Sequence, residues 1–524
     1  MLAVSTLPRT FNAATYFVDR HVADGRGGHV AVECADEQVT YTQLAERVNR
    51  MGHALRTACE VRIEERVLLL LFDTPDFFYA FFGAIKIGAV PVPINTLWKP
   101  ADLEYVLNDS RARVVVVSEG LLGTLDAIPR ERLRYLRHVI VSGAGSADRP
   151  GLADVLAAAS PVLEAEPTTK DDPCFWLYSS GSTGKPKGCV HLQHDMVVAA
   201  QSFAMHVMGI TARDRCFSVA KLFFAYGLGN GLYFPLLVGA TAILWPGAPT
   251  AANVYAVIER HRPTLFYSVP TSYGMLLAHR RDGADFDLSS VRLASSAGEA
   301  LPPAIYERFL ERFGVEIIDG IGSTELLHTF IANRRGRVKP GSSGTLVPGY
   351  EARIVDEDGR DLPHGEIGNL LIAGDSTCTM YWNQHERTKD TIEGRWIRTG
   401  DKYYQDADGF FWYAGRSDDM LKAGGIWVSP VEVENALVEH AAVLECAVVG
   451  RNDHDRLEKP VAYVVVRAGV EATPELASEL MQHVRSRLAE YKRPRWVEFV
   501  TELPKTATGK IQRYRLRARE AGDA

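Results

Sequence analysis

Val67-Leu68-Leu69-Leu70-Leu71-Phe72, Ala89-Val90-Pro91-Val92-Pro93-Ile94 and Val114-Val115-Val116-Val117 are three short apolar runs separated by helical patterns over residues 76–87 and 101–111. Runs with no polar alternation belong to strands covered on both faces, so this stretch reads as repeated β-α-β with a parallel sheet. Working outward, residues 40–58 read as an amphipathic helix: Thr40 and Gln43 fit a capping box, and Leu44, Val48, Met51 and Leu55 share one face. The alternation resumes with strands expected at 264–269, 291–295 and 315–318 and a helix at 251–261. From about residue 340, short alternating strands with turns at Asp358-Gly359, Glu393-Gly394 and Asp408-Gly409 predict a small antiparallel, β-barrel-like subdomain. After residues 415–419 a compact pattern follows: helix 430–440, strands 443–450 and 460–467, helix 474–490 and strand 496–500. The expected fold is α/β: a large N-terminal domain (1–415) of parallel α/β subdomains plus the β subdomain, a hinge (416–421), and a small mobile α+β domain (422–524).

The 524 residues exceed one hydrophobic core, and 46% apolar residues are ample to fill several. A net charge of −7 gives no broad basic field, which argues against nucleic acid, and no basic run accompanies an amphipathic helix as a membrane address would require. The seven cysteines are scattered without CxxC spacing, which points to reduced thiols in a cytoplasm rather than zinc or a disulfide framework. The N-terminus lacks a basic start followed by an apolar stretch, so no signal peptide is expected.

Tyr178-Ser179-Ser180-Gly181-Ser182-Thr183-Gly184-Lys185-Pro186-Lys187-Gly188 is too rich in glycine, hydroxyl and lysine to pack as core and is suited to wrapping a polyphosphate. It is not a Walker A loop, because Pro186 and Lys187-Gly188 break that spacing. Asp319-Gly320-Ile321-Gly322-Ser323-Thr324-Glu325 follows an expected strand, where a hydroxyl and a carboxylate face a ligand, and Glu325 suits Mg²⁺. Arg398-Thr399-Gly400-Asp401 and Tyr413-Ala414-Gly415-Arg416 offer ribose or phosphate contacts, and Leu503 to Lys510 presents a lysine beside Gly509. Each alone has a plain structural reading, as a solvated turn acid or a surface lysine.

Together and in this order these motifs resemble the adenylate-forming superfamily of acyl- and aryl-CoA synthetases, luciferases and peptide-synthetase adenylation domains, from Phe11 to Arg515. Lys221-Leu222-Phe223-Phe224-Ala225-Tyr226-Gly227-Leu228-Gly229 and the segment 319–330 look closest to benzoate-CoA ligases. The resemblance implies ATP, Mg²⁺ and CoA as cofactors and a two-step reaction: a carboxylate attacks the α-phosphate to give an acyl-adenylate, and a thiol then displaces AMP. By the family pattern Lys510 contacts carboxylate and α-phosphate, while Ser179, Ser180, Gly181, Ser182, Thr183, Gly184, Lys185 and Lys187 wrap the phosphates. Thr324 and Glu325 hold phosphate and metal, and Asp401 and Arg416 bind ribose. Adenine lies against Gly298, Glu299 and Ala300 and against Asp319, Gly320 and Ile321, with Ile321 where many relatives carry tyrosine. The C-terminal domain turns about Asp418, exchanging Lys510 for Lys422, Gly424 and Gly425 beside a pantetheine tunnel.

Family position puts Ala225, Tyr226, Gly227, Gly298, Gly322, His328, Thr329, Ile331 and Lys422 around the acid. Small and flat residues favour an aryl acid over a long acyl chain. His328 is expected to donate to the substrate carboxylate, or else to be satisfied by backbone. Thr329 departs from the aliphatic residue usual in benzoate ligases and is expected to bond an amino or hydroxyl substituent, pointing to 2-aminobenzoate (anthranilate) or a hydroxybenzoate beside benzoate; its plain alternative is a helix threonine bonded to its own backbone. Arg451, Arg456 and Lys459 are candidates for the CoA phosphates. A carrier-protein phosphopantetheine is the alternative acceptor, a non-catalytic ATP-binding sensor the alternative of another class, and a homodimer is left open.

Overall fold

The computed structural model describes residues 4–179, 185–417, 419–423, 426–453, 458–505 and 511–521, without the side chains of Ser5, Lys422, Ala423, Ile426, Trp427 and Ala518. Ser180, Gly181, Ser182, Thr183, Gly184, Asp418, Gly424, Gly425, Arg456 and Lys510 lie outside the described residues.

The three opening runs form one parallel sheet in the order Val90–Pro93, Arg66–Leu70, Val114–Ser118, His138–Ser142. Val114 to Val117 are wholly buried, as strands covered on both faces must be. Helix Pro75–Lys86 is buried along its whole length, with Phe77, Phe78, Phe81 and Phe82 in the core. Helix Tyr41–Thr57 is amphipathic, and its start is the expected capping box, Thr40 and Gln43 each satisfying the other's backbone N–H.

A second sheet has nine strands, six of them parallel: Ile317–Gly322, Leu293–Ser296, Leu265–Ser268, Arg215–Ser218, Thr241–Leu244 and Val30–Cys34. Antiparallel strands close both ends, Thr329–Ala332 and Thr345–Leu346 at one and Glu37–Thr40 at the other. Between the two parallel sheets a hairpin, Pro173–Ser179 and Lys187–Leu192, pairs with Met380–Tyr381. The glycine-rich stretch therefore joins two antiparallel strands, so its anchor is a hairpin and not the strand-to-helix turn of a P-loop.

The β subdomain is a five-stranded antiparallel sheet built on Trp396–Gln405, and turns at the three expected sites connect its strands. In the last unit Glu458–Val466 is the central strand, paired with Val443–Asn452 on one side and Trp496–Phe499 on the other, packed on helices Pro430–Val438 and Pro474–Arg485. No helix among the described residues is long and apolar enough to cross a membrane. All seven cysteines are buried and unpaired.

Candidate active site

Parallel strands deliver their carboxyl ends to one edge of a sheet, and the loops there are where ligands meet an open α/β sheet. At this edge Leu293–Ser296 leads into Gly298, Glu299 and Ala300, and Ile317–Gly322 leads into Ser323, Thr324 and Glu325. The strand runs four residues beyond the expected 315–318, so Asp319 to Gly322 are strand rather than loop. Gly320 to Gly322 pair antiparallel with Thr329 to Ala332, which places Ile321 opposite Ile331.

Lys187, at the exit of the glycine-rich stretch, reaches across to Glu325. Its Nζ donates to Glu325 Oε1 at 2.9 Å and to the Tyr381 hydroxyl at 2.7 Å, and that hydroxyl donates to the same Oε1 at 2.6 Å. Burial alone would raise the Glu325 carboxyl, but the Lys187 ammonium and the Tyr381 hydroxyl outweigh it and hold the group down at about 2. Glu325 is thus an ionised, hard oxygen donor at neutral pH. Tyr381 is a site residue the sequence reading missed; it lies 56 residues from Glu325 and carries no motif of its own.

Asp319 behaves oppositely. Burial pushes its carboxyl from 3.8 to about 8, against weaker help from Ser296 and the backbone N–H groups of Leu301 and Gly320. Leu301 N–H donates to Oδ2 at 3.4 Å, and Oδ1 has no hydrogen-bond partner among the described residues. Across the edge, Asp401 and Arg416 face each other on adjacent strands, with Arg416 Nη1 donating to Asp401 Oδ1 and to the Thr399 carbonyl, both at 3.0 Å. Gly400 sits at φ +75°, and a side chain there would lie 2.7 Å from Arg416 Nη2, so glycine lets this pair form.

Ala225–Leu228 is one short helical turn, and the Tyr226 hydroxyl donates to Ser295 Oγ at 3.2 Å. The His328 ring packs among Phe203, Tyr226 and Phe234 at centroid distances of 5.2, 5.4 and 4.5 Å. Burial lowers its pKa to about 3, so the imidazole is neutral. Nε2 lies 3.3 Å from the Tyr226 carbonyl and donates to it, which leaves the Nδ1 lone pair, buried without a partner among the described residues. The donor expected to serve a substrate carboxylate is thus turned to backbone. Thr329 opens a strand, not a helix, is 2% exposed, and turns its methyl toward Gly320.

Gly227 and Gly322 have a backbone cause. A Cβ at Gly227 would sit 2.0 Å from the Lys221 carbonyl oxygen, and one at Gly322 2.6 Å from that of His328. Both are close-approach glycines, so space for a ring is not needed to explain them. Arg451 pairs with Glu498 at 2.9 Å and with Glu520. On either side of Lys510, the segments close into a loop base: Lys505 bridges Ile511, Gln512 N donates to the Pro504 carbonyl at 2.8 Å, and Lys505 pairs with Glu445 at 2.6 Å.

Strand-end carboxylates of opposite proton affinity beside a lysine-anchored hairpin make a class of site suited to a charged, phosphorylated ligand. The chain belongs to the family of AMP-binding enzymes, matching it over residues 19–382 and the AMP-binding enzyme C-terminal domain over 432–510. A benzoate–CoA ligase of Thauera aromatica is 51% identical over 513 residues, 98% of this chain and 97% of that protein. Two solved structures are also similar. The anthranilate CoA ligase AuaEII in complex with anthranoyl-AMP superposes with a TM-score of 0.95 at 45% identity, covering 99% of each chain. A benzoate CoA ligase from Burkholderia xenovorans gives 0.89 at 47% identity, covering 97% of this chain and 100% of that one.

Proposed function

We propose that this protein is an ATP-dependent aryl-CoA ligase that adenylates an aromatic acid and transfers the acyl group to CoA, releasing AMP and pyrophosphate. The observation that carries the reading is the Lys187–Glu325–Tyr381 cluster, set where the glycine-rich hairpin meets the strand end, in a chain similar throughout to benzoate– and anthranilate–CoA ligases. Benzoate, 2-aminobenzoate and hydroxybenzoates are the acids proposed. The neutral His328, whose buried Nδ1 has no partner among the described residues, favours a ring bearing an N–H or O–H, and Thr329 beside it is the second candidate partner.

In the first half-reaction a carboxylate oxygen bonds to the α-phosphorus while the bond to the pyrophosphate oxygen breaks. The obstacle is bringing two anions together, and fixed cations and donors lower it. Lys510 is proposed to sit between carboxylate and α-phosphate, Ser179 to Lys187 to hold the outer phosphates, and Asp401 with Arg416 to hold ribose. Gly298 to Ala300 and Asp319 to Ile321 are proposed to face adenine. The ionised Glu325 fits one protein ligand of Mg²⁺. Bound with ATP, Mg²⁺ would neutralise phosphate charge there. In the second half-reaction the thiol sulfur bonds to the acyl carbon, its proton is lost, and AMP leaves. A turn of the last domain about Asp418, bringing up Lys422, Gly424 and Gly425, is proposed to separate the two steps.

The test is a panel of benzoates and short fatty acids with ATP, Mg²⁺ and either CoA or a phosphopantetheinylated carrier protein, reading AMP and thioester. Aryl thioester of CoA is expected. Acid-independent AMP release, or none, would return the chain to a sensor role, and acylation of the carrier alone would change the acceptor.

A further inference from the structure

Residues 324–328 form a turn with local hydrogen bonds of its own, from Leu326 N to Ser323 Oγ and from Leu327 N to the Thr324 carbonyl, both at 3.2 Å. Leu327 takes φ +67°, a left-handed conformation that a branched side chain disfavours. Three consecutive carbonyls of this turn are each gripped from behind by a donor on another segment. His191 Nε2 lies 2.8 Å from the Thr324 carbonyl, Cys378 N donates to that of Glu325 at 2.7 Å, and Ser376 Oγ to that of Leu326 at 2.8 Å. Two of the grips come from one loop. The third comes from the strand that begins at Lys187, the residue whose ammonium holds the Glu325 side chain.

His191 is itself fixed. Its Nδ1 lies 2.8 Å from Asp195 Oδ2, which also accepts from Leu192 N at 3.1 Å, and both side chains are wholly buried. The ring stacks on Phe175 at a centroid distance of 5.2 Å, with 17° between planes. A carbonyl can only accept, so Nε2 carries a proton and donates it to Thr324. The phosphate hairpin thus holds the strand-end turn twice, through a side-chain ion pair in front and a backbone hydrogen bond behind.

We infer that His191, oriented by Asp195, is a positioning residue for the adenylation half-reaction, locking Thr324 and Glu325 in register with the glycine-rich hairpin. This rests on the proposed ligase reading. It predicts an effect confined to the step that handles pyrophosphate, because the grip acts on the residues proposed to face the phosphates and the metal.

Two substitutions separate positioning from bulk support. His191→Gln puts an amide nitrogen near the place of Nε2 and keeps a donor for Thr324; His191→Asn puts one near Nδ1 and loses it. H191N is expected to slow benzoate-dependent pyrophosphate exchange about 30- to 100-fold, as a displaced catalytic group does. H191Q is expected to stay within about fivefold of wild type, the worth of an imperfect hydrogen bond. Thioester formation from preformed benzoyl-adenylate and CoA is expected to be unchanged in both. Equal losses in H191N and H191Q, or parallel losses in the two half-reactions, overturn the inference. If H191N does not fold, Asp195→Asn carries the test: slower exchange with normal thioester formation supports the dyad, and equal loss in both overturns it. A wild-type protein without acid-dependent exchange would remove the ligase reading, and this inference with it. An active wild type with indistinguishable variants removes this inference alone.

Discussion

The strand-end site and the C-terminal unit are held by different forces. The site is fixed by buried hydrogen bonds across two sheets, as in the Lys187–Glu325–Tyr381 cluster, and it shares an apolar core with the elements around it. The C-terminal unit keeps its own cores, around Val443, Val448 and Leu480 and around Val449 and Leu503, and no described residue before Leu421 belongs to either. Next to the proposed hinge, Asp419 is bound to Arg517 and lies 3.9 Å from Arg513, both in the last helix. A body with its own core, tied inward by its own ion pairs, can turn as a unit with that core intact. Charge that must stay put is built into the first region, and charge that must come and go belongs on the second.

The largest effect that would break this comparison is at Lys510. Lys510→Ala is expected to cut acid-dependent pyrophosphate exchange by at least about 100-fold, the scale of losing one charge-stabilising donor, while thioester formation from preformed adenylate persists. Loss of both would place the lysine in the fixed machinery. A smaller effect sharpens the first region. Thr329→Ile is expected to lower the ratio of 2-aminobenzoate to benzoate turnover roughly two- to twelvefold, the worth of one hydrogen bond. An unchanged ratio leaves His328 as the remaining candidate for a ring substituent. The smallest concerns stability. Asp319 is raised from 3.8 to about 8, so between those values the folded protein holds a proton that the unfolded chain has released. Stability from this group is therefore present at low pH and declines as pH rises through that window. Asp319→Asn should flatten the fall in thermal midpoint between pH 6 and 8, and an unaltered slope would mean that the carboxyl is ionised when folded.

The parts of the fold legible in sequence were those with local causes. The Thr40 capping box, the helix Ala251–His261 and the all-valine strand from Val114 each carry their signal within a few residues. The pairing of Val30–Cys34 with Thr241–Leu244 was not legible, because parallel neighbours share no turn and about two hundred residues intervene. The end of strand Ile317–Gly322 was misjudged for a related reason: glycines read as loop, yet here they let the strand close against Thr329–Ala332. Within the site, glycine-rich, acidic and lysine motifs were visible as motifs, but not their couplings. Lys187 meets Glu325 across 138 positions, and Tyr381 joins them from a two-residue strand with no distinguishing pattern. Helix 474–490 ends early, at Arg485, where a Ser-Arg-Leu stretch leads into a short 3₁₀ turn.

The seven buried cysteines have a chemical corollary. An enzyme proposed to carry a mixed anhydride past an incoming thiol runs two hazards, self-acylation and mixed disulfides with its own substrate. Burial pushes the thiols of Cys34 and Cys59 up to about 11 and those of Cys174, Cys189, Cys216 and Cys446 higher still, so little thiolate is available at neutral pH. None of these six thiols then competes readily with the thiol of the proposed acceptor.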